Sequence, residues 1–346
     1  MLRSALSNPG RGQGLTLHHV YSVPPERLPA LNPVTITAIN GGWQLDVGDL
    51  VYAEFNRDGS LLIGGLGTLG LVRAGRAQMR EVPCIARGAV HIGGATFVAC
   101  DHQPGLIRVD ESGPTEFGRA DVVFQKEADV KQSRLLWAGD AAGGAQALFA
   151  SGSGKTVTIT LDADRWSTAE PWRGRGCDTV VHGMEIGRAR NQWVGASIGR
   201  ASIPRTAVFD AAFTHATSFS VIPNEAVACG IGADGPVCLL GDGRLVNPTR
   251  RPVSELGRLG VKRDELAAMN NRRICQAGLG LYVLTSSTSA GVAVYRLRDG
   301  RVAKLFDDGE PGLTASLTCA NGRAVAVVSN GITSRVLLLD ETPLNR

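Results

Sequence analysis

The most chemically suggestive stretch of the chain is residues 151–162, SGSGKTVTITLD, in which Gly154-Lys155-Thr156 matches the end of a phosphate-binding loop. Such a loop needs another glycine five positions before the Gly-Lys pair, then a helix whose N-terminal amides face the phosphates. Position 149 is Phe, and Lys155 is followed by Thr-Val-Thr-Ile-Thr-Leu, an alternation of β-branched residues that reads as a strand. The stretch is therefore a turn between strands and not the loop of an NTPase. Residues 65–70, GLGTLG, spell the dinucleotide-binding fingerprint. That fingerprint also needs a strand–helix–strand unit and an acidic residue about 20 positions further on. No helical pattern follows, and Glu81 falls short of the required place. These glycines read as a strand end.

Acid–base and metal chemistry receive no better support. His18, His19, His91, His102, His182 and His215 form neither a helical pair nor an HxH cluster. Asp101 beside His102, and Asp178 four residues before His182, have the spacing to orient an imidazole. No GxSxG elbow accompanies them, and Ser151 and Ser153 lie in a turn without a base. Asp101, Asp140, Asp178 and Asp242 come from separate parts of the chain, whereas a calcium site draws about 6–8 oxygens together. Aspartate favours turns by bonding its own backbone, and these are read as turn residues. No catalytic residue, cofactor or metal ligand is assigned.

Two clusters suit contact rather than catalysis. Between positions 250 and 273, Arg250, Arg251, Arg258, Lys262, Arg263, Arg272 and Arg273 outnumber Glu255, Asp264 and Glu265 by a local +4, equal to the net charge of the whole chain. Such a segment suits an acidic protein face or phosphate, or is a solvated helix. It lacks the interleaved aromatics that base stacking requires. The second cluster, RWSTAEPWRGRG at 165–176, sets Trp166 and Trp172 beside Arg173 and Arg175, residue types favoured at protein contacts.

The elements that would position these residues are strands. The 44 glycines punctuate short apolar runs, and no sustained helical period appears. Seven runs recur: LVYAEF around Tyr52, TFVACD around Phe97, QALFAS around Phe149, QWVGAS around Val194, VCLLGD around Leu239, LYVLTS around Val283 and VAVVSN around Val327. The steps between their centres are 45, 52, 45, 45, 44 and 44 residues. A turn and a second alternating strand follow most of them; the fifth repeat keeps only RLV there.

Repeats of about 40–50 residues built from four antiparallel strands resemble the blades of a β-propeller. One small sheet cannot bury both of its apolar faces, but sheets packed around a ring cover one another. The expectation is an all-β, single closed propeller spanning 15–346, with seven blades, or six if the first or fifth repeat is irregular. Its last repeat shows three strands before the chain ends, so residues 15–23, LTLHHVYSV, are expected to complete the last blade. Residues 1–14 form a polar arm, and 247–273 a basic, partly helical insertion in which Ser254 is placed to cap a helix and 261–269 holds helix formers.

The seven cysteines lack any CxxC pair, and most sit in apolar runs, which suggests buried reduced thiols in a reducing compartment. Cys229, Cys275 and Cys319 occupy matching places in successive repeats, on tight inner strands. No apolar leader or run of about 18 apolar residues is present, so a chain without a membrane span, not exported by the standard route, is expected.

In architecture and size the chain looks like the propeller units of the tail nozzle in short-tailed bacteriophages, whose copies form a ring around the DNA channel. That resemblance implies a non-catalytic virion component, assembled in the host cytoplasm. Its partners would be identical copies and neighbouring tail proteins, with DNA passing but not read by sequence. The alternatives are a metal-dependent propeller hydrolase of the lactonase type and a cytoplasmic protein-binding adaptor.

Overall fold

The structure is a computed structural model. It describes residues 35–39, 42–48 and 50–73, the strands between 76 and 221 without most of their connecting turns, and 226–339 apart from 251 and 270. Almost every element is a strand, and the described helix is the short Arg263–Ala268.

The strands form five hydrogen-bonded sheets of five, seven, four, four and eight strands. Two of these are compound. In the seven-stranded sheet the 17-residue strand Arg76–Ile92 pairs with Leu66–Arg73 through its first half and with Ala95–Asp101 through its second. It thereby ends one four-stranded unit, begun by Tyr52–Phe55, and starts a second that ends at Gly113–Arg119. In the eight-stranded sheet two antiparallel meanders, starting at Ala226–Gly232 and Asn271–Ala277, meet through a single parallel bridge, Ile231 to Cys275. With the separate sheets starting at Arg134–Ala141 and Met184–Ala189, this gives six consecutive four-stranded units.

The seventh unit joins the two ends of the chain. Thr314–Ala320, Arg323–Ser329 and Thr333–Leu338 are its last three strands in sequence. The strand hydrogen-bonded to Thr333–Leu338 is Gly42–Gly48, in a register running from Trp43 opposite Leu338 to Gly48 opposite Thr333. Thr35–Ile39 adds a fifth strand outside it. The expected donor of this strand, residues 15–23, lies outside the described residues, and the pairing itself belongs to 42–48. Ile39 opposite Gly42 leaves a two-residue link, which is Asn-Gly in the sequence. That dipeptide between alternating runs is the strongest short hairpin signal, and it outweighs the apolar content of LTLHHVYSV.

The leading strands of the units touch in order. Tyr52–Phe55 meets Arg76–Ile92, which meets Arg134–Ala141, then Met184–Ala189, Ala226–Gly232, Asn271–Ala277 and Thr314–Ala320, and the last of these meets Tyr52–Phe55. The core lies between units. Phe55, Leu61, Ile63 and Val72 of the first pack on Val325, Val327, Val336 and Leu338 of the seventh. Tyr52, Leu62 and Leu71 of the first pack on Ala89, Val98 and Ile107 of the second. Val237, Leu239 and Leu245 of the fifth pack on Val283 and Leu297 of the sixth, and Leu284 and Val294 of the sixth on Ala326 and Leu337 of the seventh. The sixth unit therefore buries both faces, against the fifth and against the seventh, which produces runs such as LYVLTS that are apolar without strict alternation.

Three expectations need correction. Tyr52 lies on the leading strand of its unit, while Phe97, Phe149, Val194, Leu239, Val283 and Val327 lie on second strands. The first unit is compact because its last strand is shared, so its spacing to the next repeat misleads. Ser254 begins a strand, Ser254–Arg258, and caps no helix; the following Glu-Leu-Gly-Arg pairs with Arg244–Asn247 and completes the fifth unit. Finally, the cysteines are not all reduced. Cys229 is bonded to Cys238, Cys275 to Cys319, and Cys100 is also in a disulfide. The matching places of Cys275 and Cys319 set them on adjoining leading strands with Cα atoms 5.8 Å apart, within bonding reach.

Candidate functional site

The two glycine-containing stretches read from sequence as strand and turn are strands. Thr156–Asp162 is a strand, paired with Gly144–Ala150. Of GLGTLG, the last five residues open the strand Leu66–Arg73. Gly67 has φ +81° and sits at a register shift between Leu66 and Thr68, so its glycine serves a bulge. Asp242 is a turn residue. Its carboxylate accepts from the Arg244 backbone N–H at 3.1 Å and from Arg244 Nε at 2.6 Å. Burial, which raises its pKa, is outweighed by these two bonds and by the charges of Arg244 and Arg258, so it stays below the usual carboxylate range. Asp101 and Asp140 lie on strands. His91 lies on Arg76–Ile92. His18, His19, His102, His182, His215, Asp178, Ser151 and Ser153 fall outside the described residues. Among the described residues no three His, Cys, Asp or Glu side chains gather as a metal cage.

The basic segment divides into rim and interior. Its helix, Arg263–Ala268, falls within the expected 261–269 and is anchored by fully buried Leu266. Glu265 accepts from the Lys262 backbone N–H at 3.3 Å. Lys262, Arg263, Arg258 and Arg250 are exposed. Arg250 pairs with Asp234 at 3.2 Å and Arg258 with Glu255 at 3.8 Å. Arg272 turns inward: it donates to the Leu266 carbonyl at 2.5 Å and the Val227 carbonyl at 3.3 Å, and burial lowers its pKa. Arg273 is exposed on the leading strand of the sixth unit. Trp166 lies on Arg165–Thr168 opposite Leu161. Arg251, Trp172, Arg173 and Arg175 lie outside the described residues.

Sequence reading missed the polar groups that join the units. At the seam of the first and seventh, Asn321 Nδ2 donates to the Phe55 carbonyl at 2.6 Å and Ser316 Oγ to the Val51 carbonyl at 2.9 Å. Ser334 Oγ accepts from Leu50 N–H at 2.7 Å and bonds the Leu50 carbonyl at 3.2 Å. The Arg323 guanidinium lies 3.5 Å above the Phe55 ring. Between the first and second, Thr96 Oγ1 donates to Asn56 Oδ1 at 2.7 Å. Between the fifth and sixth, Gln276 Oε1 accepts from Ala233 N–H at 2.7 Å. Between the sixth and seventh, Asn271 Nδ2 donates to the Ala315 carbonyl at 2.8 Å, and Tyr282 Oη to the Leu339 carbonyl at 3.2 Å. Arg335 also pairs with Asp308 there.

A further joining group is Glu54, on the leading strand of the first unit. It is 6% exposed, accepts from the Tyr52 hydroxyl and from the backbone of Ala89 in the second unit, and is pushed up to about 7. Burial is the dominant cause, and the two hydrogen bonds only partly offset it. Burial, then the neighbouring Glu54 charge, raises the Tyr52 phenol well above its ordinary value. A charged residue inside the apolar run LVYAEF was the signal for this pair in the sequence. The arrangement clamps two strands together and leaves the carboxyl enclosed.

Four-stranded antiparallel units that meet through their leading strands and bury their cores between neighbours define a β-propeller architecture. Similar folds occur in the β-propeller domain of Cps50 (Swd1) from Myceliophteria thermophila, with TM-score 0.59 and 12% identity over 88% of this chain and 99% of that one. A catalytically inactive virginiamycin B lyase from Staphylococcus aureus with quinupristin gives TM-score 0.56 and 10% identity over 88% and 99%. The Dos1 propeller gives 0.51 and 11% over 93% and 96%. At these identities the likeness is one of fold. No protein-family description matches the chain, and no curated protein matches it in sequence. Among the described residues no helix is long and apolar enough to cross a membrane.

Proposed function

We propose that the chain closes as a seven-bladed ring and works as a non-catalytic structural and interaction unit. The observation that carries this reading is the commitment of polar side chains near the leading strands to bonds between units. Asn271, Gln276, Arg272, Ser316, Asn321 and Thr96 hold backbone or side-chain partners in a neighbouring unit, and Glu54 is enclosed with Tyr52. Such bonds stiffen a ring, whereas a reaction centre needs groups aimed at open space. The Gly42–Gly48 pairing with Thr333–Leu338 and the core shared by the first and seventh units support closure.

The most concrete form of the reading is a virion component, a subunit of the tail-nozzle ring of a short-tailed bacteriophage, as the sequence resemblance suggests. Disulfides persist on virion surfaces and are rare in reducing cytosol, so the Cys229–Cys238 and Cys275–Cys319 bonds favour a particle over a cytoplasmic adaptor. The contact surface would draw on the exposed Arg250, Arg258, Lys262, Arg263 and Arg273, together with Arg251; the segment with Trp166, Trp172, Arg173 and Arg175 would be a second contact. Arg272 would act from inside by holding the helix. Identical copies and neighbouring tail proteins would be the partners, and a modest net charge of +4 lets DNA pass without strong retention. Native mass spectrometry of the protein from its source is the test. A ring of identical copies within a particle is expected; a monomer retaining one equivalent of calcium would overturn the reading in favour of a hydrolase.

A further inference from the structure

The two disulfides of the last three units differ in surroundings. Cys229–Cys238 lies within one sheet, its residues 4% and 0% exposed and packed with Leu240 and Val246. Cys275–Cys319 spans two units, joining the leading strands Asn271–Ala277 and Thr314–Ala320, and both of its cysteines are only partly buried, Cys319 against the edge of the core between those units. Thiol–disulfide exchange requires an attacking thiolate to reach a sulfur, so access decides which bond reacts.

We propose that Cys275–Cys319 is a thiol–disulfide exchange site, and that it acts as a reversible latch between the leading strands of the sixth and seventh units. The co-reactant is a dithiol. Its first thiolate attacks one cysteine sulfur, forms a mixed disulfide and expels the other cysteine as a thiolate, which takes a proton. Its second thiol then loses its proton and attacks the mixed disulfide. The dithiol leaves as a disulfide, and two electrons and two protons have passed to Cys275 and Cys319.

The surroundings determine what the latch controls. Cys319 touches only the edge of the apolar core between the two units, whose buried members are other residues, and the Arg335–Asp308 pair and the Asn271–Ala315 bond involve neither cysteine. The sheets therefore stay packed when it opens. The turns beyond the cysteines lie together: a Cβ placed on Gly278 would be 3.4 Å from the Gly322 carbonyl oxygen. Leu279, in the first turn, is 78% exposed, and Asn321, in the second, bonds the Phe55 carbonyl across the next seam. Opening the latch thus loosens one end of two leading strands and reaches the seam between the first and seventh units through Asn321.

The test treats native full-length protein with dithiothreitol, quenches with iodoacetamide and follows each cysteine by peptide mass. Cys275 and Cys319 are expected to be alkylated at least about tenfold faster than Cys229 and Cys238. Labelling of all four at one rate, labelling of the buried pair first, or labelling of Cys275 and Cys319 before any reductant is added would overturn the assignment. Amide exchange at the half-reduced stage is expected to quicken in 271–277 and 314–321 and to stay unchanged in 281–297. A Cys275→Ser/Cys319→Ser variant is expected to show that pattern without reductant. Exchange equal to oxidised wild type in both experiments would overturn the latch.

Discussion

Replacing Phe55 with Ala would test the packing of the first unit on the last. Phe55 is 0% exposed and sits among Val325, Val327 and Leu338, residues from the far end of the chain. Truncating a buried Phe to Ala removes its transfer free energy and leaves a cavity, together about 3–5 kcal/mol. The ring also carries Arg323 at 3.5 Å, worth about 1 kcal/mol in a partly desolvated setting. Because stabilities are typically about 5–15 kcal/mol, the variant should unfold at much lower urea. Amide exchange should also quicken in Arg323–Ser329, although the Asn321–Phe55 bond spans a sequence separation of 266. Peptides covering Gln192–Ser197 serve as the distant control. A double-mutant cycle with Arg323→Ala should return a coupling of about 0.5–1 kcal/mol. A loss under about 1 kcal/mol, or faster exchange confined to residues 52–73, would refute the shared seam.

Further outcomes can be checked in parallel. The Glu54 carboxyl is raised from 4.5 to about 7 in the folded protein, so the folded state binds the proton more tightly than the unfolded. Its contribution turns unfavourable as pH rises through the 4.5–7 window, reaching about 3 kcal/mol above it; Glu54→Gln should therefore stabilise the protein at pH 8 relative to wild type and have much less effect at pH 4, measured by urea unfolding at each pH. Gly230→Ala would set a Cβ 2.0 Å from the Ile274 carbonyl oxygen, beside the parallel bridge between the leading strands of the fifth and sixth units; a loss of about 2 kcal/mol or more in thermal or urea unfolding is expected. Arg272→Ala should free the Leu266 and Val227 carbonyls it binds and quicken exchange in 263–269, whereas Arg263→Ala on the exposed face should change stability by less than about 0.5 kcal/mol.

Much of the architecture was readable because turn chemistry and strand patterns agree. The Thr-Val-Thr-Ile-Thr alternation after Lys155 does form a strand, and six of the seven apolar runs do occupy equivalent second strands. The first run failed because one strand, Arg76–Ile92, serves two units and shortens the repeat. The strand paired with Thr333–Leu338 is Gly42–Gly48 rather than residues 15–23, and its signal in the sequence is the Asn-Gly dipeptide just before it, which sets hairpin register. The cysteine reading failed for a different reason: burial of a lone thiol was argued strand by strand, whereas Cys275 and Cys319 meet only once neighbouring units are stacked. The joining bonds were least legible. Nothing local distinguishes Asn321 or Ser316 from other turn and strand residues, and their partners, the Phe55 and Val51 carbonyls, are backbone groups from the opposite end of the chain.

Closure of the chain on itself is tested most directly by trapping the strand pair that joins its ends. Asp46 lies opposite Arg335, and Leu45 opposite Val336. Adjacent antiparallel pairs alternate between hydrogen-bonded pairs, with Cα atoms about 5.5 Å apart, and non-hydrogen-bonded pairs, about 4.5 Å apart with closer side chains, so one of the double variants Asp46→Cys/Arg335→Cys and Leu45→Cys/Val336→Cys has the geometry to bond. The expected result is a disulfide within a single chain, identified by peptide mass, in at least one of them under native conditions. Neither variant cross-linking within the chain, while Val20→Cys/Val336→Cys does, would show that a different segment closes the ring.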